Sequence, residues 1–188
     1  MPAIGGSTKM QLATAKSAAT LVAMLLAGTA SAALAAPACT VEALNALHVP
    51  NVSVTQATPV AASGAAPAHC AVRATITTHG EGAPDGSARV AVQLPDAWQQ
   101  RFFSMGVGGN AGTLNPAVNA TDRAAALGKG YVIIVTDTGH TGNGTDANWV
   151  RTADGKPDTA KIADFFYRAE HEVTVAGTAS GSGGGSGY

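Results

Sequence analysis

Arg101-Phe102-Phe103-Ser104-Met105-Gly106-Val107-Gly108-Gly109-Asn110-Ala111-Gly112 is the stretch on which the reading of this chain turns. It opens as an apolar, aromatic strand and breaks into a loop with four glycines in seven residues. Glycine has no Cβ, so such a loop can adopt positive φ and bring backbone N–H groups close to a bound group. A strand ending in bare amides is how α/β enzymes hold an oxyanion or a phosphate. The amides of this loop are therefore candidate donors to a developing negative charge. The plainer alternative is a tight turn chosen for geometry alone.

Upstream of this run, Val90, Val92 and Leu94 alternate with Arg89, Ala91 and Gln93, the pattern of a strand with one wet face, and Pro95 stops it. Val72, Ala74 and Ile76 alternate in the same way with Arg73, Thr75 and Thr77. The Gly- and Pro-rich segment His79 to Ser87 between them reads as a turn, so the two form an antiparallel pair at a sheet edge. Further back, Val49 to Ala68 reads as extended chain and loop. Thr40 caps a short helix carrying Val41, Leu44 and Leu47.

Downstream, Thr121 caps a helix over Asp122 to Leu127 that Gly128 and Gly130 close. Tyr131 to Val135 is a continuous β-rich apolar run, as expected of a strand buried on both faces. With Arg101 to Met105 it gives two inner strands of a mostly parallel sheet. It ends in Thr136-Asp137-Thr138-Gly139-His140, at the carboxyl end where open α/β sheets bind ligands. Asp158 or Thr159 then caps a helix whose apolar stripe is Ile162, Phe165, Phe166, Ala169, Val173 and Ala176. Gly177 to Tyr188 is almost all Gly and Ser and reads as a flexible tail.

The chain has 188 residues, enough for one domain, and 46% hydrophobic residues, enough for a core. A formal charge of −1 with no basic run argues against a nucleic-acid partner. Residues 1–32 have the form of a secretory signal peptide. Lys9 and Lys16 are followed by the apolar run Ala18 to Ala27 and the small-x-small site Ala30-Ser31-Ala32. That implies a secreted or periplasmic protein with no membrane segment after cleavage, residues 33–176 forming the domain and 177–188 the tail. Cys39 and Cys70 come after the signal, so in an oxidising compartment one disulfide is the expectation and two unpaired thiols the alternative.

Other candidates are weaker. Asp137 and His140, three apart at a strand end, invite a catalytic or metal role; the bland reading is that Asp137 caps the turn and His140 bonds backbone near the site. No metal site follows from their spacing, nor from His171 with Glu172, which reads as a helix-to-loop bond. Gly106 to Ala111 satisfies a loose dinucleotide fingerprint but lacks the acidic residue that should come after it. Ser180, Ser182 and Ser186 each lack a glycine of the Gly-x-Ser-x-Gly elbow.

Five pieces in order carry a resemblance: Trp98-x-x-Arg101-Phe102; the Gly-x-Gly-Gly-x-Ala-Gly loop; Ala126-Leu127-x-x-Gly130-Tyr131; Thr136 to His140 with Asp146-Ala147-x-Trp149; and Asp164-Phe165-x-Tyr167-Arg168-Ala169-x-His171-Glu172-x-Thr174. Together they resemble the N-terminal portion of the tannase and feruloyl esterase family, over about Cys39 to Val175. The resemblance implies a secreted α/β-hydrolase that cleaves esters of phenolic acids, its partner a small aromatic ester. It implies that this sequence is truncated before the nucleophile elbow: the family's Ser, Asp and His, its lid and the lid's calcium all lie later. No cofactor is implied for these residues, and there is no signal for an oligomeric state. Carried over are an oxyanion-hole amide in Gly108-Gly109 and an N-terminal disulfide matching Cys39 and Cys70. Val107 and Phe166 depart from the family pattern. The expectation is an ester-hydrolase fragment inactive by itself; the alternative is a non-catalytic secreted module that binds a small carboxylate or phenolic ligand through the glycine loop.

Overall fold

The computed structural model describes residues 38–106, 108–114 and 119–181, all in the unit Ala35–Tyr188. The segment read as a signal peptide, Val107, and the tail beyond Gly181 lie outside the described residues. Five strands form one sheet in the order β1-β2-β3-β5-β4. They are β1 (Val52–Val60), β2 (His69–Thr78), β3 (Gly86–Pro95), β4 (Phe102–Ser104) and β5 (Val132–Thr136). β2 and β3 pair antiparallel with Val72 opposite Val92 and Ala74 opposite Val90, as their alternation predicts. β3 also pairs antiparallel with β5, and only β4 and β5 run parallel among the described strands. The sheet, read as mostly parallel, is therefore mixed and mostly antiparallel among the described strands, because the hairpin-linked β1, β2 and β3 make up most of it and only β4 and β5 are joined by a helical crossover.

Two strands differ from expectation. Val49 to Ala68, read as extended chain and loop, contains β1, which pairs along β2 with a bulge between Val54 and Gln56. Its Thr, Ala and Pro composition hides a strand exposed on most of its length. β4, read as an inner strand, lies at the sheet edge, and Phe103 is 40% exposed there.

Side chains alternate across the sheet, so β5 feeds two cores. Val132 and Ile134 join Ala74, Ile76, Val90 and Val173 on one face, while Ile133 and Val135 join Met105 and Leu127 on the other. The first face is covered by α4 (Ala169–Gly181), and the second by α2 (Ala120–Gly128). All five residues of β5 are buried, which accords with the unbroken apolar run through Val135. A third cluster joins Leu44 of α1 (Val41–Asn45) to Cys70 and Val72. Thr40 caps α1 through its hydroxyl, and Cys39 is bonded to Cys70.

The long helix departs from its predicted phase. Asp158 caps α3 (Thr159–Ala163), which runs into a π-helical turn (Asp164–Arg168) and on into α4. A π turn inserts one residue and rotates the helix beyond it. Asp164 and Arg168 thus turn inward, each 1% exposed, while Phe166, assigned to the apolar stripe, is 77% exposed. The helix also continues to Gly181, past the predicted break at Gly177. Gly177 is a contact residue and no terminator: a Cβ there would lie 2.7 Å from Ile134 Cδ1 and 3.3 Å from Phe102 Cδ2. Its bareness lets α4 sit close on β4 and β5.

Candidate functional site

Because β4 and β5 are parallel, their carboxyl ends lie at the same end of the sheet, and the loops that leave them run side by side. Hydrogen bonds join them. Asn110 N–H donates to Gly144 C=O at 3.0 Å, and Gly142 N–H donates to Gly112 C=O at 3.0 Å. A Cβ on Gly109 would lie 2.6 Å from Gly144 O, and one on Gly112 would lie 2.7 Å from Gly142 N. These two glycines are required by close approach as well as by positive φ (+54° and +80°). Gly108, at φ +73°, has open space where a Cβ would go. Among the described residues, Gly108 and Gly109 donate no hydrogen bond from N–H, and both are exposed. The loop therefore presents two free amides on a backbone pinned from one side.

His140 supplies the strongest pin. It is 4% exposed, and its Nε2 lies 2.6 Å from Asn110 O. A carbonyl only accepts, so Nε2 carries the proton. The ring stacks on Trp149 at 4.1 Å and meets the edge of Phe165 at 5.8 Å. Asp137 is 2% exposed. Its Oδ1 accepts from Arg89 N at 2.9 Å and Gly139 N at 3.1 Å, and its Oδ2 from Arg89 Nε at 2.6 Å. Both carboxylate oxygens are committed to structure. Asp137 caps the turn and His140 holds backbone, which is the bland one of their two readings. Ala111 (φ +50°) and Thr138 (φ +59°), one on each loop, are non-glycine residues in the left-handed region. Each costs about 1–3 kcal/mol, a cost that surrounding structure must offset.

One group of residues was not anticipated. Asp164 Oδ1 accepts from Thr78 Oγ1 at 2.6 Å and from Arg168 Nε at 2.8 Å, and Arg168 donates onward to the carbonyls of Gly80, Pro84 and Ala160. Asp164 also fills the space beside Gly86 and Gly139, so a Cβ on either would collide with it. An Asp and an Arg four apart on the helix, each next to a residue of its predicted apolar stripe, are the available signal. His171, read as bonding to a loop, instead stacks on Tyr167 at 5.2 Å within its own helix. Among the described residues no group of three His, Cys, Asp or Glu could hold a metal ion.

A family profile described as tannase and feruloyl esterase matches residues 70–180. The chain belongs to this family. Among curated proteins it is 33% identical over 132 residues to the mono(2-hydroxyethyl) terephthalate hydrolase of Piscinibacter sakaiensis, covering 66% of this chain and 22% of that one. Among solved structures, feruloyl esterase B from Aspergillus oryzae superposes with a TM-score of 0.55 at 26% identity, covering 74% of this chain and 28% of that one. Tannin acyl hydrolase from Aspergillus niger gives 0.52 at 19% identity, covering 79% and 30%, a likeness of fold alone. The described fold is thus part of the α/β-hydrolase fold of the tannase and feruloyl esterase family, and the chain spans between a fifth and a third of the length of these relatives. The family match takes in both loops of the site, the π turn, and α4 as far as Ser180.

Proposed function

We propose that this chain supplies the oxyanion-hole half of a secreted carboxylic ester hydrolase acting on phenolic-acid esters, with Gly108 and Gly109 as amide donors. The observation that carries the reading is that Gly108 and Gly109, both exposed, donate no N–H hydrogen bond among the described residues, on a loop held in place by His140 and by the loop after β5. Preorganised donors cost no reorganisation as charge develops, and losing one typically costs about 2.7–4 kcal/mol of transition-state stabilisation. Topology supports the placement. A β-strand, crossover and parallel strand connect with right-handed sense. α2 and α4 cover opposite faces, so a strand after α4 would join the open edge of β4, on the opposite side from β5. Its carboxyl end would then face the glycine loop, where a nucleophile on a strand-to-helix turn could meet the two amides. The serine, its acid and its base belong, on this reading, to sequence beyond α4, and this chain does not turn over ester by itself. Secretion follows from the form of residues 1–32 and accords with the Cys39–Cys70 disulfide; among the described residues no helix is long and apolar enough to cross a membrane.

The test has two arms. Amide NMR of the chain with a phosphonate monoester anion, a tetrahedral stand-in for the ester intermediate, should move the Gly108 and Gly109 signals saturably. Incubation with methyl ferulate and methyl gallate should give no turnover above buffer. Turnover that survives Gly108→Ala and Gly109→Ala but dies with Ser180→Ala would overturn the reading. Saturable ferulate or gallate binding that leaves both amide signals unmoved would favour a plain binding module.

A further inference from the structure

Asn143 and Gly144 form the one Asn-Gly step in the sequence, and they sit on the loop that pins the glycine run. Asn143 is exposed, and its side-chain Oδ1 accepts three hydrogen bonds: from Thr145 N at 3.0 Å, Thr145 Oγ1 at 2.8 Å and Asp146 N at 3.0 Å. Donors converging on a carbonyl oxygen stabilise the charge that appears when its carbon becomes tetrahedral. Gly144 N–H has no hydrogen-bond partner among the described residues, and residue 144 has no Cβ to obstruct its nitrogen.

From this arrangement we infer that Asn143 is a site of fold-assisted deamidation, which loosens the glycine loop as it proceeds. The Gly144 nitrogen gives its proton to water or hydroxide and bonds to Asn143 Cγ. The Cγ–Nδ2 bond then breaks, and Nδ2 takes a proton from solvent and leaves as ammonia. Water opens the resulting succinimide at one of its two imide C–N bonds, leaving aspartate or isoaspartate. The net change is water in and ammonia out, with no oxidant or reductant. Gly144 C=O is the acceptor for Asn110 N–H, and it lies where a Gly109 side chain would be. Isoaspartate adds a methylene to the main chain just before Gly144, and either product puts a carboxylate near Asp146. Both changes shift that carbonyl. The inference needs no catalytic activity, so it stands or falls separately from the esterase assignment.

The experiment ages the full chain in warm, mildly alkaline buffer and tracks each asparagine by peptide mass spectrometry. The chain is made in a host that does not N-glycosylate, since Asn143-Gly144-Thr145 is also an acceptor sequon. Asn143 should convert ahead of every other asparagine, and about tenfold faster in the folded chain than in urea, the effect of one hydrogen bond to a charged oxygen. Thr145→Val should bring the folded rate down toward the urea rate, Thr145→Ser should keep it, and Gly144→Ala should slow both. Hydrogen exchange at Asn110 N–H should quicken in proportion to conversion. A folded rate equal to or below the urea rate would overturn the inference, because the turn would then be shielding the side chain. So would equal folded rates for Thr145→Val and Thr145→Ser, since the hydroxyl would then contribute nothing.

Discussion

Replacing Asp164 by Ala tests the buried tie between the long helix and the sheet. Asp164 and Arg168 are each 1% exposed and bonded at 2.8 Å. Removal of the carboxylate leaves the Arg168 guanidinium with three backbone carbonyls but no counter-charge, and leaves the buried Thr78 hydroxyl without its acceptor. Breaking a buried pair from one side costs about 3–5 kcal/mol. A stranded buried hydroxyl costs about 1–3 kcal/mol, a share that overlaps with the first because the groups touch. The expected loss is about 4 kcal/mol, a large part of the ~5–15 kcal/mol that holds a typical domain together. Adding Arg168→Met removes the stranded charge and should recover at least half of the loss, since a buried pair replaced by apolar groups is often nearly neutral. Urea unfolding monitored by circular dichroism measures this, provided the slope with denaturant stays constant. A single variant within about 1 kcal/mol of the parent, or a double variant no more stable than the single, would refute the account.

His140→Ala should leave the Asn110 carbonyl without its donor and open a gap beside Trp149; we expect a loss of about 1–3 kcal/mol and faster hydrogen exchange over residues 108–112, with exchange at β1 unchanged. Asp158→Ala should cost about 1 kcal/mol through loss of the cap on Lys161 N–H, measured by thermal unfolding. Burial works to raise the Asp158 pKa, but hydrogen bonds from Lys161 and its charge outweigh that and hold it low. With the folded value below the unfolded one, the contribution is full above the ordinary Asp value of about 3.9 and fades as pH falls through the folded value, so parent and variant should converge in acid. Cys39→Ser should cost roughly 3–4 kcal/mol in the loop-entropy account for a separation of 31 residues, seen as a lower urea midpoint.

The parts of the fold that alternate or run unbroken were legible. Val72, Ala74 and Ile76 point into a core, and Val132 to Val135 are buried as their composition requires. Gly108 and Gly109 take the positive φ that their place in a glycine-rich loop suggests. β1 is hard to read because its alternation, Val52-Ser53-Val54-Thr55, is short and is broken by the bulge before Gln56, and most of the strand is exposed. Phe166 falls off the stripe because a 3.6-residue period cannot anticipate an inserted residue, and the Asp164–Thr78 bond that accompanies the π turn joins residues 86 apart in sequence. Gly177 was misread for a related reason. A glycine that ends a helix and one that lets a helix approach a sheet are the same letter, and only Ile134 and Phe102 on the far side distinguish them.

In a chain with 12% charged residues, the placement of the buried polar groups is informative. Eight polar or charged side chains are buried among the described residues, and six of them, Thr78, Thr136, Asp137, His140, Asp164 and Arg168, gather around the turn after β5. Each tie leads to a different element. Asp137 reaches Arg89 on β3, Gly139 rests on Asp164 of the π turn, and His140 reaches Asn110 in the glycine loop. Thr138 sits among them at φ +59°, a conformation a β-branched residue adopts only when its surroundings impose it. Hydrophobic packing alone would have left this turn free to relax, because burial is indifferent to direction. Directional bonds are needed where a backbone must be held within a fraction of an ångström. Of these groups His140 reaches the glycine loop, through the Asn110 carbonyl, and Asp137 and Asp164 fix the turn that carries it against β3 and the π turn.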